Sequence, residues 1–165
     1  LVMGGSLGSK KLNDIIRDNL EALLHDYQII HLTGHGLVDE SYKQKGYIQY
    51  EFVKEELTHL LSITDTVVSR AGSNAIYEFL TLRIPMLLIP LGLDQSRGDQ
   101  IDNAKYFESK GYGKMIPEDQ LTQFKLLEQL KQIESHRNDI IHQMESYKES
   151  YTKEDLFNKI LNDAL

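Results

Sequence analysis

Between Val67 and Ala104 the sequence runs VVSRAGSNAIYEFLTLRIPMLLIPLGLDQSRGDQIDNA, and no other stretch limits the fold as much. Thr66-Val67-Val68 is a short, β-branched, apolar run that suits a strand buried on both faces of a parallel sheet. Gly72 lets the chain turn sharply, and Ser73 and Asn74 are residue types that open a helix. Met86 to Ile89, bounded by Pro85 and Pro90, reads as the next strand. It leads into a loop from Leu91 to Asp99 that is long for an α/β connection, and such loops commonly carry function. Strand, turn, helix, strand, loop and helix start make a βαβ unit with a parallel sheet.

This order of elements also suggests chemistry. A helix that starts at Gly72-Ser73-Asn74, at the carboxyl edge of a parallel sheet, presents unpaired N–H groups and its positive dipole end, which together suit a phosphate. Glu78 follows Asn74 by one turn on the same face. Its charge would repel a phosphate, whereas its two acceptor oxygens match the neighbouring hydroxyls of a ribose. The competing reading is a solvent-facing helix glutamate. Arg70 and Arg97 have the charge to neutralise phosphate, although surface arginines are common.

The remaining chain repeats the alternation. Leu1-Val2-Met3 is a buried-strand run with no lead-in, which reads as part of a longer protein. The turn Gly4-Gly5-Ser6-Leu7-Gly8 could bring backbone N–H groups close to a ligand or be only a tight turn. It matches neither the G-x-G-x-x-G fingerprint nor a P-loop. A helix is expected from about Lys10 to Leu24, with Leu12, Ile15, Ile16, Leu20, Leu23 and Leu24 on its buried stripe. Strands are expected at Tyr27 to Leu32 and Tyr47 to Tyr50, with a short helix at Asp39 to Lys45 and another helix from about Glu55 to Ser62. His31 reads as structural and His35 as a loop residue. After a last strand at Lys114 to Ile116 the chain is helical: Leu121 to Ile133, a stripe of Ile140, Ile141, Met144 and Tyr147, then Leu156 to Leu165.

The expected fold is therefore α/β, a three-layer Rossmann-like single domain over residues 1–165, with a mainly parallel sheet of about six strands and a helical C-terminus. At 165 residues with 41% hydrophobic side chains the chain can bury a real core. A net charge of −7 argues against a general nucleic-acid binder, and no apolar run is long enough to cross a bilayer. With no cysteine, thiolate metal sites and thiol nucleophiles are excluded. The histidines show no metal-ligand spacing and there is no G-x-S-x-G elbow, so neither a metal site nor a serine triad is expected.

RAGSNAIYE, the proline-bounded strand after it, DQxxNA and the opening GGSLGSKKLN stand in the order seen in glycosyltransferases with two Rossmann-like domains, the GT-B type, and the chain resembles their donor-binding half. It is similar in particular to the family that moves N-acetylglucosamine from UDP onto a lipid-linked muramyl-pentapeptide in peptidoglycan synthesis. That resemblance implies an enzyme whose N-terminal acceptor domain is absent here, so that the chain alone would be inactive. It places Ser6 over the donor, Phe52 and Val53 at the uracil, Ser73, Asn74 and Ala75 at the diphosphate beside Gly72, Glu78 at the ribose, and Asp99 and Gln100 at the sugar hydroxyls. The family often carries two glutamines, or His-Gln, where Asp99-Gln100 stands. No catalytic base and no cofactor are assigned; a divalent-cation requirement is not legible. The implied partners are UDP-N-acetylglucosamine and, through the other domain, a lipid-linked acceptor. The implied location is the cytoplasmic face of the bacterial membrane, as a peripheral protein. The other readings are a nucleotide-binding module without transfer chemistry and a UDP-sugar epimerase of the same architecture.

Overall fold

The computed structural model describes residues 1–147 apart from Ser6 and Asp94. Six strands, β1 (Val2–Met3), β2 (Ile29–Leu32), β3 (Tyr47–Tyr50), β4 (Val67–Ser69), β5 (Met86–Leu88) and β6 (Gly113–Met115), form one sheet in the order β3-β2-β1-β4-β5-β6. Every pairing is parallel, with Val2 set between His31 and Val68 and Val67 beside Met86. The apolar runs at β4 and β5 are continuous rather than alternating because both faces are covered: Val67, Met86 and Leu87 are wholly buried.

Among the described residues there are seven helices: α1 (Lys10–Asp18), α2 (Leu20–Asp26), α3 (Leu57–Ser62), α4 (Ser73–Thr81), α5 (Asp99–Ser109), α6 (Gln123–Ser135) and α7 (Arg137–Glu145). With this strand order, the right-handed rule for parallel crossovers puts α1 and α2 on one face and α4 and α5 on the other. The single helix expected from Lys10 to Leu24 is two helices. Asn19 leaves helical geometry at φ −118 and ψ 15, and its amide donates to the Ile15 carbonyl at 2.7 Å, a local bond that competes with the helix ladder. The buried stripe survives the break, since Leu12, Ile16, Leu20 and Leu23 are all core. The short helix expected near Asp39 is one 3-10 turn, Glu40–Tyr42, capped by the Asp39 carboxylate. Helix α6 starts two residues after Leu121 because Thr122 Oγ1 accepts from Lys125 N–H as its cap. The helix expected over Leu156 to Leu165 lies outside the described residues.

Helix α7 runs along the amino edge of the sheet. Its Arg137 donates to the Asp65 carbonyl at 2.7 Å, and beyond its end Tyr147 packs against Tyr77 and Tyr112. At the β6 edge the Glu108 carboxylate accepts from Met115 N–H at 2.9 Å, which occupies a backbone donor that would otherwise invite another strand.

Candidate functional site

From β1 the chain proceeds outward to β2 on one side, and after β3 it returns to β4 on the other side of β1. The loops leaving the carboxyl ends of β1 and β4 therefore diverge, and ligands of doubly wound sheets bind in that crevice. The β1–α1 loop is held down by close backbone approach. Gly8, at φ +76, has the Thr33 carbonyl oxygen 2.2 Å from where a Cβ would sit, so no side chain fits there. Ser9 caps α1, its Oγ accepting from Leu12 N–H. A cavity of about 810 Å³ opens beside this loop, lined by Gly4, Gly5, Lys10, Lys11, Arg70 and Glu118 among others.

Of the residues singled out in the sequence, Gly4, Gly5, Gly8 and Arg70 line this cavity, whereas Gly72, Ser73, Asn74, Ala75, Glu78, Asp99 and Gln100 do not. Helix α4 begins at Ser73 behind Gly72, which offers no side-chain cap, and its first turn carries no acidic residue. Its leading N–H groups are thus available to an anion. Helix α5 also begins behind a glycine, Gly98, but Asp99 and Asp102 stand in its first turn and already complement its dipole. Of the two helix starts, α4 is the one suited to phosphate. Ser73, Asn74 and Glu78 are exposed and Ala75 is half-buried. The Glu78 carboxylate has no partner among the described residues. Gln100 is partly committed, because its Oε1 accepts from Leu91 N–H at 3.2 Å, so its amide nitrogen is what remains to meet a ligand. Phe52, 53% exposed, and half-buried Val53 follow β3 at the outer end of the edge. Ser6 lies outside the described residues.

Arg70 does something other than bind phosphate on the surface. It is buried; its Nη1 donates to the Ile89 carbonyl at 3.0 Å, and its Nη2 donates to Ser9 Oγ at 2.7 Å and to the Glu118 carboxylate. Glu118 Oε2 in turn accepts from Gln95 at 3.1 Å. One guanidinium thus joins the loops that leave β1, β4, β5 and β6. Nothing in the sequence marked Glu118, which is far from Arg70 along the chain. Asn103 was also missed, although it belongs to the DQxxNA block: its Nδ2 donates to the Ala71 carbonyl at 3.0 Å and to Ser73 Oγ at 3.2 Å.

His31 is structural. It is fully buried, with Nδ1 2.8 Å from the Tyr47 hydroxyl and Nε2 3.0 Å from Asn13 Oδ1. Asn13 Nδ2 donates to the Thr33 carbonyl, so Asn13 Oδ1 must accept, which puts the proton of His31 on Nε2 and leaves Nδ1 to accept from Tyr47. Burial first, and then the Arg17 charge, push the imidazole down to about 3. His35 is an exposed loop residue 2.6 Å from the Glu51 carboxylate.

The parallel sheet order β3-β2-β1-β4-β5-β6 places the chain in the broad class of Rossmann-like, doubly wound α/β domains. More narrowly, the model of the glycosyltransferase family 28 C-terminal domain matches residues 1–160, and the chain belongs to that family. All 165 residues align at 85% identity with the UDP-N-acetylglucosamine--N-acetylmuramyl-(pentapeptide) pyrophosphoryl-undecaprenol N-acetylglucosamine transferase of Staphylococcus haemolyticus. The protein of the same name in Staphylococcus aureus is 71% identical over 165 residues. The chain spans 46% of the length of each. Among solved structures, Acinetobacter baumannii MurG is similar with a TM-score of 0.72 at 24% identity, over 87% of this chain and 42% of that one. The glycosyltransferase VinC, solved in complex with dTDP, gives 0.63 at 19% identity over 88% and 36%. At such identities these structures bear on the fold alone. Among the described residues no helix is long and apolar enough to cross a membrane.

Proposed function

We propose that the chain is the donor-binding half of an inverting glycosyltransferase that transfers N-acetylglucosamine from UDP-N-acetylglucosamine to a lipid-linked muramyl-pentapeptide. The observation that carries this reading is identity of 71% and 85% over the whole chain to two transferases of that name. The geometry agrees with it. The diphosphate lies at the start of α4, where negative charge on the departing UDP meets Gly72, Ser73, Asn74 and Ala75 and the helix dipole. One turn deeper Glu78 holds the ribose hydroxyls, Phe52 and Val53 flank the uracil, and Gln100 meets the sugar through its amide nitrogen. Asp99 repels phosphate from α5 and helps keep the diphosphate on α4. Contacts to the acceptor and the base that deprotonates its hydroxyl are assigned to the portion of the longer relatives outside the matched region, so the chain alone binds donor without transferring it. The full enzyme acts as a peripheral protein at the cytoplasmic face of the membrane, where such an acceptor is held.

Calorimetric titration of the chain with UDP and ADP tests the reading. UDP is expected to bind more tightly, and equal affinity for ADP would remove Phe52 and Val53 from the base site.

A further inference from the structure

We propose that Asn103 is a positioning residue that sets the direction of the Ser73 hydroxyl, so that Ser73 donates its proton to a nucleotide diphosphate at the start of α4. The inference rests on the proposed donor site and adds to it a residue that acts without touching the ligand.

Asn103 stands one turn into α5 and reaches across to the turn between β4 and α4, where its Nδ2 lies 3.0 Å from the Ala71 carbonyl oxygen and 3.2 Å from Ser73 Oγ. A backbone carbonyl can only accept a hydrogen bond, so the group facing Ala71 must be the amide nitrogen and the amide orientation is fixed. That nitrogen carries two hydrogens, one for each acceptor. Ser73 Oγ therefore accepts from Asn103, and its single proton must point elsewhere. Among the described residues that proton has no acceptor, Ser73 is exposed, and the helix start beside it has neither a side-chain cap nor an acidic residue in its first turn. An anion at this helix start would receive backbone N–H groups and one hydroxyl already turned toward it. Hydrogen bonds to a charged acceptor are the strong class, so a fixed donor there gains more than a freely rotating one.

Gln100, three residues earlier on α5, bonds Leu91 N–H in the neighbouring loop. The first two turns of α5 therefore brace both adjoining βα connections. What sets Asn103 apart is that its bond ends on a side chain with a spare proton.

The test measures the affinity of the 165-residue chain for uridine, UDP and UDP-N-acetylglucosamine in wild type, Asn103→Ala, Asn103→Asp, Ser73→Ala and the Asn103→Ala/Ser73→Ala double variant, with unfolding midpoints recorded for each. Asn103→Ala is expected to weaken UDP and UDP-N-acetylglucosamine alike, by about tenfold, with uridine unchanged. Asn103→Asp keeps the shape but cannot donate. Its carboxylate draws the Ser73 proton to itself, so the loss for UDP should be at least as large. Because Asn103 acts through Ser73, the double variant should bind UDP no worse than Ser73→Ala alone. Loss of UDP-N-acetylglucosamine with UDP spared would mean direct contact with the sugar and would overturn the proposal. So would equal loss of uridine, which indicates general distortion, or additive losses in the double variant. If wild type binds uridine and neither nucleotide more tightly, the diphosphate site falls and the inference with it. If wild type binds UDP normally and Asn103→Ala does too, only the inference falls.

Discussion

A carboxylate about 7.5 Å down the axis from an uncapped helix start sits where phosphate would be repelled and vicinal hydroxyls would be held. Glu78 is exposed, and the buried positions of its helix are Ile76, Phe79 and Leu80, so packing gives no reason for an acid there. Glu78→Ala should weaken UDP by about 1.5 to 3 kcal/mol, the range for hydrogen bonds to a charged group, while stability changes by less than about 0.5 kcal/mol. Titration with 2′,3′-dideoxy-UDP is the control: if wild type and variant discriminate the two nucleotides equally, Glu78 does not hold the ribose. His31 illustrates a buried polar residue with a purely structural task. Its imidazole is held near 3 in the fold, against about 6.5 when unfolded, so below pH 6.5 the unfolded chain takes up a proton that the folded chain refuses. Stability is full above pH 6.5 and falls toward pH 3 by about 1.4 kcal/mol per unit from this group. Urea titrations at pH 6.5 and 5 should therefore show a drop about 2 kcal/mol larger in wild type than in His31→Gln. Equal drops would mean that His31 takes up its proton in the folded state.

Helices and strands were legible in the sequence where hydrophobic period and punctuation agreed. Pro85 and Pro90 bracket β5, Gly72 precedes α4, and the stripe of Leu12, Ile16, Leu20 and Leu23 named the buried side of α1 and α2. Element ends were less legible, because they depend on bonds to side chains that the period does not report, as at Asn19 and Thr122. The end of α4 is a third case. Arg83 sits at φ 56, with its N–H bonded to the Leu80 carbonyl and Ile84 N–H bonded to the Phe79 carbonyl, the paired bonds of a left-handed helix stop. Helix α5 ends with the same bonds, from Gly111 to Glu108 and Tyr112 to Phe107, but with glycine in the left-handed position. An arginine there costs energy that glycine avoids, and its exposed contact with Glu145 at 3.6 Å returns little. Arg83→Gly is thus expected to raise unfolding stability by about 0.5 to 1 kcal/mol. A loss of stability would mean that Arg83 contributes more through its side chain than its backbone conformation costs.

The molecule as a whole has to hold together loops that come from four strands lying side by side, while leaving their outer surface open. The sequence indicated the edge itself, because a parallel sheet with glycine turns fixes which end of the strands carries function. It did not indicate the clasp, since the link between Arg70 and Glu118 spans 48 residues and only folding brings the two together. Both side chains are over nine-tenths buried, and the guanidinium also bonds the loop after β1 through Ser9 and the end of β5 through Ile89. In such a pair the attraction is offset by the cost of removing both charges from water, so removing one partner costs more than the pair itself contributes. Arg70→Met should lower stability by about 3 to 5 kcal/mol, because it leaves the Glu118 carboxylate buried without its cation, with Gln95 as its remaining hydrogen-bond donor among the described residues. The second substitution in Arg70→Met/Glu118→Leu removes that stranded charge and should restore much of the lost stability. Chemical denaturation of the three proteins decides the matter: a double variant no more stable than Arg70→Met would mean that the guanidinium stabilises the edge through Ser9 and Ile89, and that Glu118 is a minor partner.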